Sequence, residues 1–204
     1  MGDRQAAPIL MEGLSRLEYR GYDSAGIAIL TPDGPLEVRK SAGKLRTLVA
    51  QLKESLPEGT RGMGHTRWAT HGGPTALNAH PHTSCQDQVA VVHNGIVENY
   101  QGLKCELTSQ GHIFRSQTDS EVIAHLIEAR LSTGDDLVQA VRHVALRLNG
   151  GNAFIALWCG DPSRMVAARL GNGGGLVVGY GLGEMLVASD LLALLPHADS
   201  VAFL

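Results

Sequence analysis

Residues 24–40, SAGIAILTPDGPLEVRK, have the pattern of a β-hairpin, with two strand-like arms on either side of a short turn. The first arm, SAGIAIL (24–30), is almost entirely apolar, and the second, LEVRK (36–40), alternates apolar and charged side chains. Between them lie Pro32, Asp33 and Gly34, residue types that favour tight turns. Because strands joined by so short a connection pair antiparallel, the hairpin predicts an antiparallel sheet near the start of the chain.

The segments around this hairpin have the order typical of an α+β protein. Helical spacing predicts helices from Pro8 to Gly21, over 45–52, over 97–107 and over 136–148, and Thr118 with Glu121 has the pattern of a capping box that begins another helix. Two short strands between 61 and 93 flank a loop rich in His, Gly and Pro, and strand-like segments follow at 152–159, 165–170, 176–180 and 184–189. Hairpin-spaced strands with two consecutive helices between them favour an αββα sandwich over a parallel doubly wound sheet.

The composition excludes several classes of protein. A chain of 204 residues with 44% hydrophobic residues fits one domain with its own core. A net charge of −3 without a run of Lys or Arg gives no basic surface for nucleic acid, and no stretch fits a membrane span or a secretory signal. Three widely spaced cysteines form neither a disulfide framework nor a CxxC site, so we expect a cytoplasmic protein without nucleic-acid or membrane partners.

Two other motifs are near matches to known signatures, and a third feature leaves an alternative open. GYDSAG (21–26) has one residue too many for a nucleophile elbow, and GYGLGE (179–184) lacks the third glycine of a dinucleotide fingerprint. Five of the nine histidines lie between 65 and 93, and His80 and His82 in a strand would point the same way. A metal-dependent hydrolase therefore stays open as an alternative to loop histidines that satisfy backbone groups.

Six motifs identify a family when they are taken in order. They are RLEYRGYDSAGIA (16–28), GHTRWATHGGPT (64–75), NAHPH (78–82), VVHNGIVENY (91–100), SQTDSEVIAHLI (116–127) and ASDLLALLP (188–196). Together they resemble the glutaminase domain of the glucosamine-6-phosphate synthase family, which are class II glutamine amidotransferases with an N-terminal-nucleophile hydrolase fold. The resemblance covers almost all of the chain and implies a four-layer αββα sandwich of two mainly antiparallel sheets, L-glutamine as substrate, and no cofactor or metal.

A pocket for free glutamine needs two opposite charges, because the amino acid is a zwitterion. An arginine can hold the α-carboxylate through two parallel hydrogen bonds, and a carboxylate can hold the ammonium group. The resemblance gives the first role to Arg67 and the second to Asp119. On the residues alone, both are better explained as ordinary surface charges.

Attack on the glutamine side-chain amide creates an oxyanion that needs hydrogen-bond donors. The resemblance assigns these donors to the Asn94 side chain and the Gly95 backbone N–H, although Asn-Gly is also the commonest hairpin-turn dipeptide. It further implies a lid over the glutamine, in which Trp68 gates ammonia transfer, and an arginine near the nucleophile. The lid residues are Trp68, Thr70 and His71, with Gly72, and the arginine is Arg20.

The nucleophile of this family is a cysteine at the mature N-terminus, whose own α-amino group accepts the thiol proton. The present sequence begins Met-Gly-Asp-Arg and aligns just after the strand that carries this cysteine, while Cys85, Cys105 and Cys159 have no free amine. We therefore expect residues 1–204 to be an amidotransferase domain truncated at both ends. It would lack the first strand and the two sugar-isomerase domains, which bind fructose 6-phosphate and form the homodimer, and it would be inactive as written.

Two further alternatives stay open. The resemblance implies a glutaminase half that supplies ammonia for the amination of fructose 6-phosphate, but a non-catalytic module that binds glutamine or a partner protein fits the same residues. Amidophosphoribosyltransferases and asparagine synthetases share the fold and parts of the motif pattern. Another class II amidotransferase, such as an amidophosphoribosyltransferase, is the remaining alternative.

Overall fold

The predicted hairpin forms two strands of a three-stranded antiparallel sheet. A computed structural model describes all residues, 1–204. In it, β1 (Ser24–Leu30) pairs on one side with β2 (Leu36–Ala42) and on the other with β3 (Arg61–Arg67). Every residue of β1 is buried, as expected for an apolar central strand covered on both faces.

The remaining elements follow the predicted order closely. The helices are α1 (Ala6–Leu17), α2 (Leu45–Glu54), α3 (Tyr100–Ser109), α4 (Glu121–Ser132) and α5 (Leu137–Ala145), with 3₁₀ turns at Glu18–Arg20 and Leu191–Ala193. The other strands are β4 (His82–Thr83), β5 (Val89–Gly95), β6 (Asn152–Trp158), β7 (Met165–Leu170), β8 (Val177–Gly181), β9 (Glu184–Ala188) and β10 (Ser200–Phe203). None of the helices has the length and apolar character needed to cross a membrane.

Three apolar clusters define four layers. One cluster joins α1 and α2 to β1, and a second joins the inner faces of the β2-β1-β3 sheet and the β4-β5-β6-β7 sheet. The largest cluster joins that second sheet to α3, α4 and α5. The predicted αββα sandwich is therefore present, with all strand pairs antiparallel.

The two predicted sheets are accompanied by a third. Strands β10-β8-β9 form a separate three-stranded sheet, and α1 contacts both β3 and the 3₁₀ turn Leu191–Ala193 that follows β9. Gly13 of α1 makes this approach close, since an added Cβ would lie 3.5 Å from the Ala193 carbonyl oxygen. Thus α1 links the β2-β1-β3 sheet to the C-terminal strands.

The capping box predicted at Thr118 and Glu121 is wrong. Helix α4 begins at Glu121 after Ser120, and no side chain caps its first turn. The Glu121 carboxylate instead accepts hydrogen bonds from the backbone N–H groups of Arg115 and Ser116, at 2.8 and 2.7 Å, and Thr118 Oγ1 lies 3.0 Å from His82 Nε2. Both side chains are engaged by partners outside the helix, so neither is available to its terminus.

Candidate functional site

A polar cavity of about 120 Å³ lies where β3 and β5 end and α4 begins. Only one of its 13 lining residues is hydrophobic. Seven of the nine predicted site residues line it, namely Arg20, Arg67, Trp68, Thr70, Asn94, Gly95 and Asp119. The other two lie beside it: His71 Nδ1 is 3.6 Å from Asp119 Oδ1, and Gly72 O is 3.2 Å from the Arg67 guanidinium. The structure thus brings the predicted residues together in one place.

Arg67 is the last residue of β3 and is only 3% exposed. Its guanidinium donates to the carbonyl oxygens of Gly72 and Gly73, both at 3.2 Å, and to that of His71, and it lies 3.9 Å from Asp23 Oδ1. Burial lowers the pKa of Arg67, while the nearby carboxylates oppose that shift. The arginine therefore fixes the path of the loop that follows β3 as well as giving the cavity a positive wall.

Asp119 provides the opposite charge and is 2% exposed. Its Oδ2 accepts a 2.7 Å hydrogen bond from the backbone N–H of Val97, which lies just after β5. This bond ties the segment before α4 to the end of β5. Arg67 and Asp119 are therefore both buried, and neither is an ordinary surface charge.

Asn94 and Gly95 remain part of β5 and do not form a hairpin turn. Asn94 stands opposite Ala153 of β6 and Gly95 opposite Asn152, in a continuous antiparallel register. Gly95 has a φ of 130°, and a Cβ there would lie 2.2 Å from the Gly151 carbonyl oxygen. Only glycine fits this end of the strand, where its backbone lines the cavity.

His65 orients the Asn94 amide. Its Nε2 lies 3.0 Å from Asn94 Oδ1, and burial lowers the pKa of His65 to about 4. The ring is therefore neutral near pH 7, and with hydrogen on Nε2 it donates to the amide oxygen. The two amide hydrogens of Asn94 then stay available as donors on the other side of the side chain.

The loop after β3 forms the outer wall of the cavity. Trp68 is 61% exposed and packs edge-on against the Tyr22 ring, with centroids 5.4 Å apart. At the far end of the loop, Asn78 Nδ2 donates to Gly73 O at 3.0 Å, and Asn78 Oδ1 accepts from Gln117 N at 2.9 Å. The loop is thus held at both ends, while its tryptophan faces solvent.

Sequence reasoning gave no role to Asp23, His65 or Asn78, although all three lie within the quoted motifs. Asp23 accepts hydrogen bonds from Ala69 N and, at 2.8 Å, from Ser24 Oγ, and so holds the start of the loop. These residues position their neighbours. Their place inside the quoted motifs is the feature of the sequence that could have indicated them.

Arg20 lies between this polar cavity and an apolar one of about 180 Å³. Its guanidinium is 3.4 Å from both Ser189 O and Asp190 Oδ2, which lie just after β9. Five residues line both cavities, namely Arg20, His65, Thr66, His93 and Asn94. None of the three cysteines lines either cavity, and burial raises the pKa of both Cys85 and Cys159.

The two histidines suggested as metal ligands, His80 and His82, pack against other rings, and neither nitrogen of His80 makes a hydrogen bond. The His80 ring lies between those of His65 and His82, with centroid distances of 4.4 and 4.6 Å, and His82 Nε2 faces Thr118 Oγ1. The nitrogens of His80 and His82 do not converge with a third ligand atom, and the group of side chains that does converge lies elsewhere: Cys85, His112, His125 and Glu128.

Comparison with known proteins places this geometry in a family. Residues 37–203 match the family model described as a glutamine amidotransferase domain. The chain is 50% identical over all 204 residues to the glutamine--fructose-6-phosphate aminotransferase (isomerizing) of Pyrococcus horikoshii, and 50% identical over 202 residues, 99% of the chain, to that of Methanothermobacter thermautotrophicus. It covers 34% of each, so it spans about a third of the length of these curated relatives.

A solved structure shows the same fold. The glutamine phosphoribosylpyrophosphate amidotransferase from B. subtilis superposes with a TM-score of 0.82 at 28% sequence identity, over 100% of this chain and 43% of that one. This likeness confirms the predicted N-terminal-nucleophile hydrolase sandwich, and the aminotransferase relatives confirm the resemblance found in the motifs. The chain belongs to the glutamine amidotransferase domain family.

Proposed function

We propose that the polar cavity binds L-glutamine, as the ammonia-supplying half of a reaction that converts fructose 6-phosphate to glucosamine 6-phosphate. The observation that carries the proposal is that a buried cation, a buried anion and the Asn94–Gly95 strand end line one cavity of about 120 Å³. Arg67 then takes the α-carboxylate and Asp119 the α-ammonium group. The buried setting strengthens both interactions, because they are poorly screened by water.

The same geometry suits the chemistry of the side-chain amide. The Nδ2 hydrogens of Asn94 and the backbone N–H of Gly95 are the donors for a tetrahedral oxyanion, and His65 keeps the Asn94 amide turned for this role. Removal of one such donor typically slows a reaction about 100-fold to 1,000-fold. Trp68, Thr70 and His71 form the lid over the bound glutamine, and Arg20 lies near the attacking group.

The attacking group itself is not supplied by the three cysteines of residues 1–204, which all lie away from the cavity. We propose that glutamine hydrolysis needs the N-terminal cysteine that the resemblance assigns to it. Residues 1–204 alone then bind glutamine without releasing glutamate. In the complete protein, sugar-isomerase domains bind the fructose 6-phosphate acceptor and form a homodimer in the cytoplasm.

A non-catalytic glutamine-binding module shares this subsite, and differs only in never gaining a nucleophile. An amidophosphoribosyltransferase is less well supported, because the chain is 28% identical to the solved example but 50% identical to the fructose-6-phosphate aminotransferases. Addition of a Cys-Gly-Ile-Val-Gly segment before Gly2 separates the first alternative from the main proposal. Glutamate release by the extended chain supports the enzyme, and its absence from a folded chain that binds glutamine favours the module.

Calorimetric titration of the 204-residue chain with L-glutamine tests the binding site. We expect saturable heat with the unmodified chain and at least about 30-fold weaker binding for Arg67→Lys and for Asp119→Asn, because each change removes one partner of a buried, charge-assisted contact. Lysine keeps the positive charge but cannot make two parallel hydrogen bonds, and asparagine keeps the shape of aspartate.

Matched controls are Arg46→Lys and Asp33→Asn, which change two exposed charges that do not line the cavity. These variants should bind glutamine as the unmodified chain does. Folded Arg67→Lys and Asp119→Asn variants with unchanged affinity would contradict the assignment of the subsite, as would unmodified, folded protein that gives no heat with glutamine.

A further inference from the structure

A second cluster of functional side chains lies outside the glutamine cavity. It contains Cys85 from the turn between β4 and β5, His112 from the segment after α3, and His125 and Glu128 from one face of α4. One ligand atom from each residue lies within 4.8 Å of all the others. His125 is fully buried, and the other three are partly exposed, which leaves a path from solvent to the cluster.

The separations match the edges of a tetrahedron of metal ligands. Cys85 Sγ lies 3.6 Å from His112 Nδ1 and 3.5 Å from His125 Nδ1, and the two Nδ1 atoms are 3.3 Å apart. With zinc–nitrogen bonds of about 2.05 Å and a zinc–sulfur bond of about 2.3 Å, a tetrahedral site has S···N edges of about 3.6 Å and an N···N edge of about 3.4 Å.

Glu128 completes the arrangement. Its Oε2 lies 3.2 Å from His112 Nδ1 and 3.8 Å from His125 Nδ1, against about 3.4 Å for a nitrogen–oxygen edge of the same tetrahedron. Five of the six edges therefore lie between 3.2 and 3.8 Å. These five separations are close to those of four donor atoms bound to one tetrahedral ion.

Hydrogen bonds can use only some of the close contacts within this cluster. Each Nδ1 faces three polar atoms, the sulfur, the carboxylate oxygen and the other Nδ1, at 3.2–3.8 Å. A ring nitrogen carries at most one hydrogen, so it can donate to only one of these neighbours. A cation at the centre satisfies all four groups at once.

The surroundings hold the ligands in place. The backbone N–H groups of Cys85 and Gln86 donate to the Glu128 carboxylate, both at 3.2 Å, and that of Ile113 donates to Cys85 Sγ at 3.3 Å. On the far side of His125, the buried Nε2 makes no hydrogen bond, and Glu121 Oε1 lies 3.5 Å from it. A histidine that binds metal usually donates its other ring N–H to such a carboxylate, and a small shift of either side chain would form that bond here.

We propose that Cys85, His112, His125 and Glu128 form a structural zinc site. Two neutral histidines, one thiolate and one carboxylate carry two negative charges, which balance Zn²⁺, and a set of nitrogen and sulfur donors with tetrahedral spacing is typical of zinc. Four protein ligands close the coordination shell, so the ion holds the chain together and activates no water. It would join α4, the β4–β5 turn and the segment after α3. Asp119, which lines the glutamine cavity, comes just before α4 in the chain.

The test uses the 204-residue chain, freed of metal and then titrated with Zn²⁺ and, separately, with Co²⁺. We expect one bound ion per chain, the visible absorption of a tetrahedral cobalt–thiolate centre, and a rise in melting temperature on binding. Loss of a hydrogen-bond partner of a metal ligand typically weakens metal binding about 10-fold to 100-fold. Cys85→Ala and His112→Ala each remove a ligand itself, so each should weaken zinc binding by more than that. Cys85→Ala should also remove the cobalt–sulfur absorption.

Cys105→Ala and His143→Ala are the matched controls, since both residues are exposed and outside the cluster. These variants should bind zinc and cobalt as the unmodified chain does. His112→Ala is the second variant because His112 lies nearer the surface than His125, so folding is less at risk. The proposal is overturned if the folded, unmodified chain binds no stoichiometric zinc or cobalt, or if the Cys85 and His112 variants bind both as tightly as their controls.

Discussion

Gly95 shows how one residue serves both the fold and the cavity. It is the last residue of β5, and its backbone lies against Gly151 so closely that a Cβ has no room. The same close approach keeps Asn94 and Gly95 in register with β6 and so sets where the proposed oxyanion donors lie. The conformation and the chemistry at this position therefore depend on the same missing side chain.

We predict that Gly95→Ala destabilises the protein and abolishes glutamine binding. Backbone strain at a φ of 130° costs about 1–3 kcal/mol, and the clash with the Gly151 carbonyl adds to it by forcing β5 and β6 apart. Denaturant unfolding and glutamine calorimetry measure the two effects. Gly102→Ala is the control, because Gly102 lies in α3 with open space around it, and alanine there should stabilise the helix by up to about 1 kcal/mol.

Which residues line the candidate site was predictable only in part. Arg67, Asp119, Asn94 and Gly95 were found because their motifs resemble those of a known family, and the structure brings them to one cavity. The roles of Asp23 and His65 depend on contacts across long stretches of sequence, such as Asp23 with Ala69 and His65 with Asn94. No local pattern in the sequence encodes such pairs.

At the scale of elements, two helices with similar sequence signals begin differently. Thr118 and Glu121 have the spacing of a capping box, but Glu121 turns to Arg115 and Ser116. Asp136 and Gln139 form a true capping box at the start of α5. A capping pattern shows which bonds are possible locally, whereas α4 packs against other segments that offer the same side chains stronger partners.

We predict that Asp136→Ala lowers the free energy of unfolding by about 0.5–2 kcal/mol, because it removes the side-chain acceptor of the 2.8 Å bond from Gln139 N. Asp136→Asn is the matched control, since asparagine caps as well as aspartate while it also loses the exposed ion pair with Arg164. Urea unfolding of both variants separates the contribution of the helix cap from that of the ion pair. Equal losses for alanine and asparagine would show that the ion pair, and not the cap, stabilises α5.

The existence and type of the helices and strands were largely predictable, because apolar spacing, turns and glycines are local signals. Helix α3 begins at Tyr100, three residues later than the spacing predicted, after a turn at residues 98–99. The separate β10-β8-β9 sheet was not predicted. Which strands share a sheet depends on packing against α1, and pattern alone does not determine it.

At the scale of the whole molecule, the interior holds several neutral histidines as well as apolar side chains. Burial lowers the pKa of His65 to about 4 and that of His82 to about 3, and it also lowers those of His80 and His93. Since unfolding returns these rings to water, the unfolded chain binds more protons than the folded one in weak acid. The layered core is therefore expected to lose stability as the pH falls below about 6.5.

We predict that His65→Gln reduces this acid sensitivity. A histidine with a pKa of about 4 when folded and about 6.5 when unfolded stabilises the folded state fully above pH 6.5, and that stabilisation is lost as the pH falls toward 4. Between about pH 8 and pH 5 its contribution falls by about 2 kcal/mol.

Because the comparison is between two pH values for the same variant, a uniform destabilisation by the glutamine cancels. Urea unfolding at both pH values should show a loss about 2 kcal/mol smaller for His65→Gln than for the unmodified chain. His143→Gln, which removes an exposed histidine that contacts Asp135, should lose at least as much stability as the unmodified chain. Equal losses for all three proteins would mean that protonation of His65 does not destabilise the folded state.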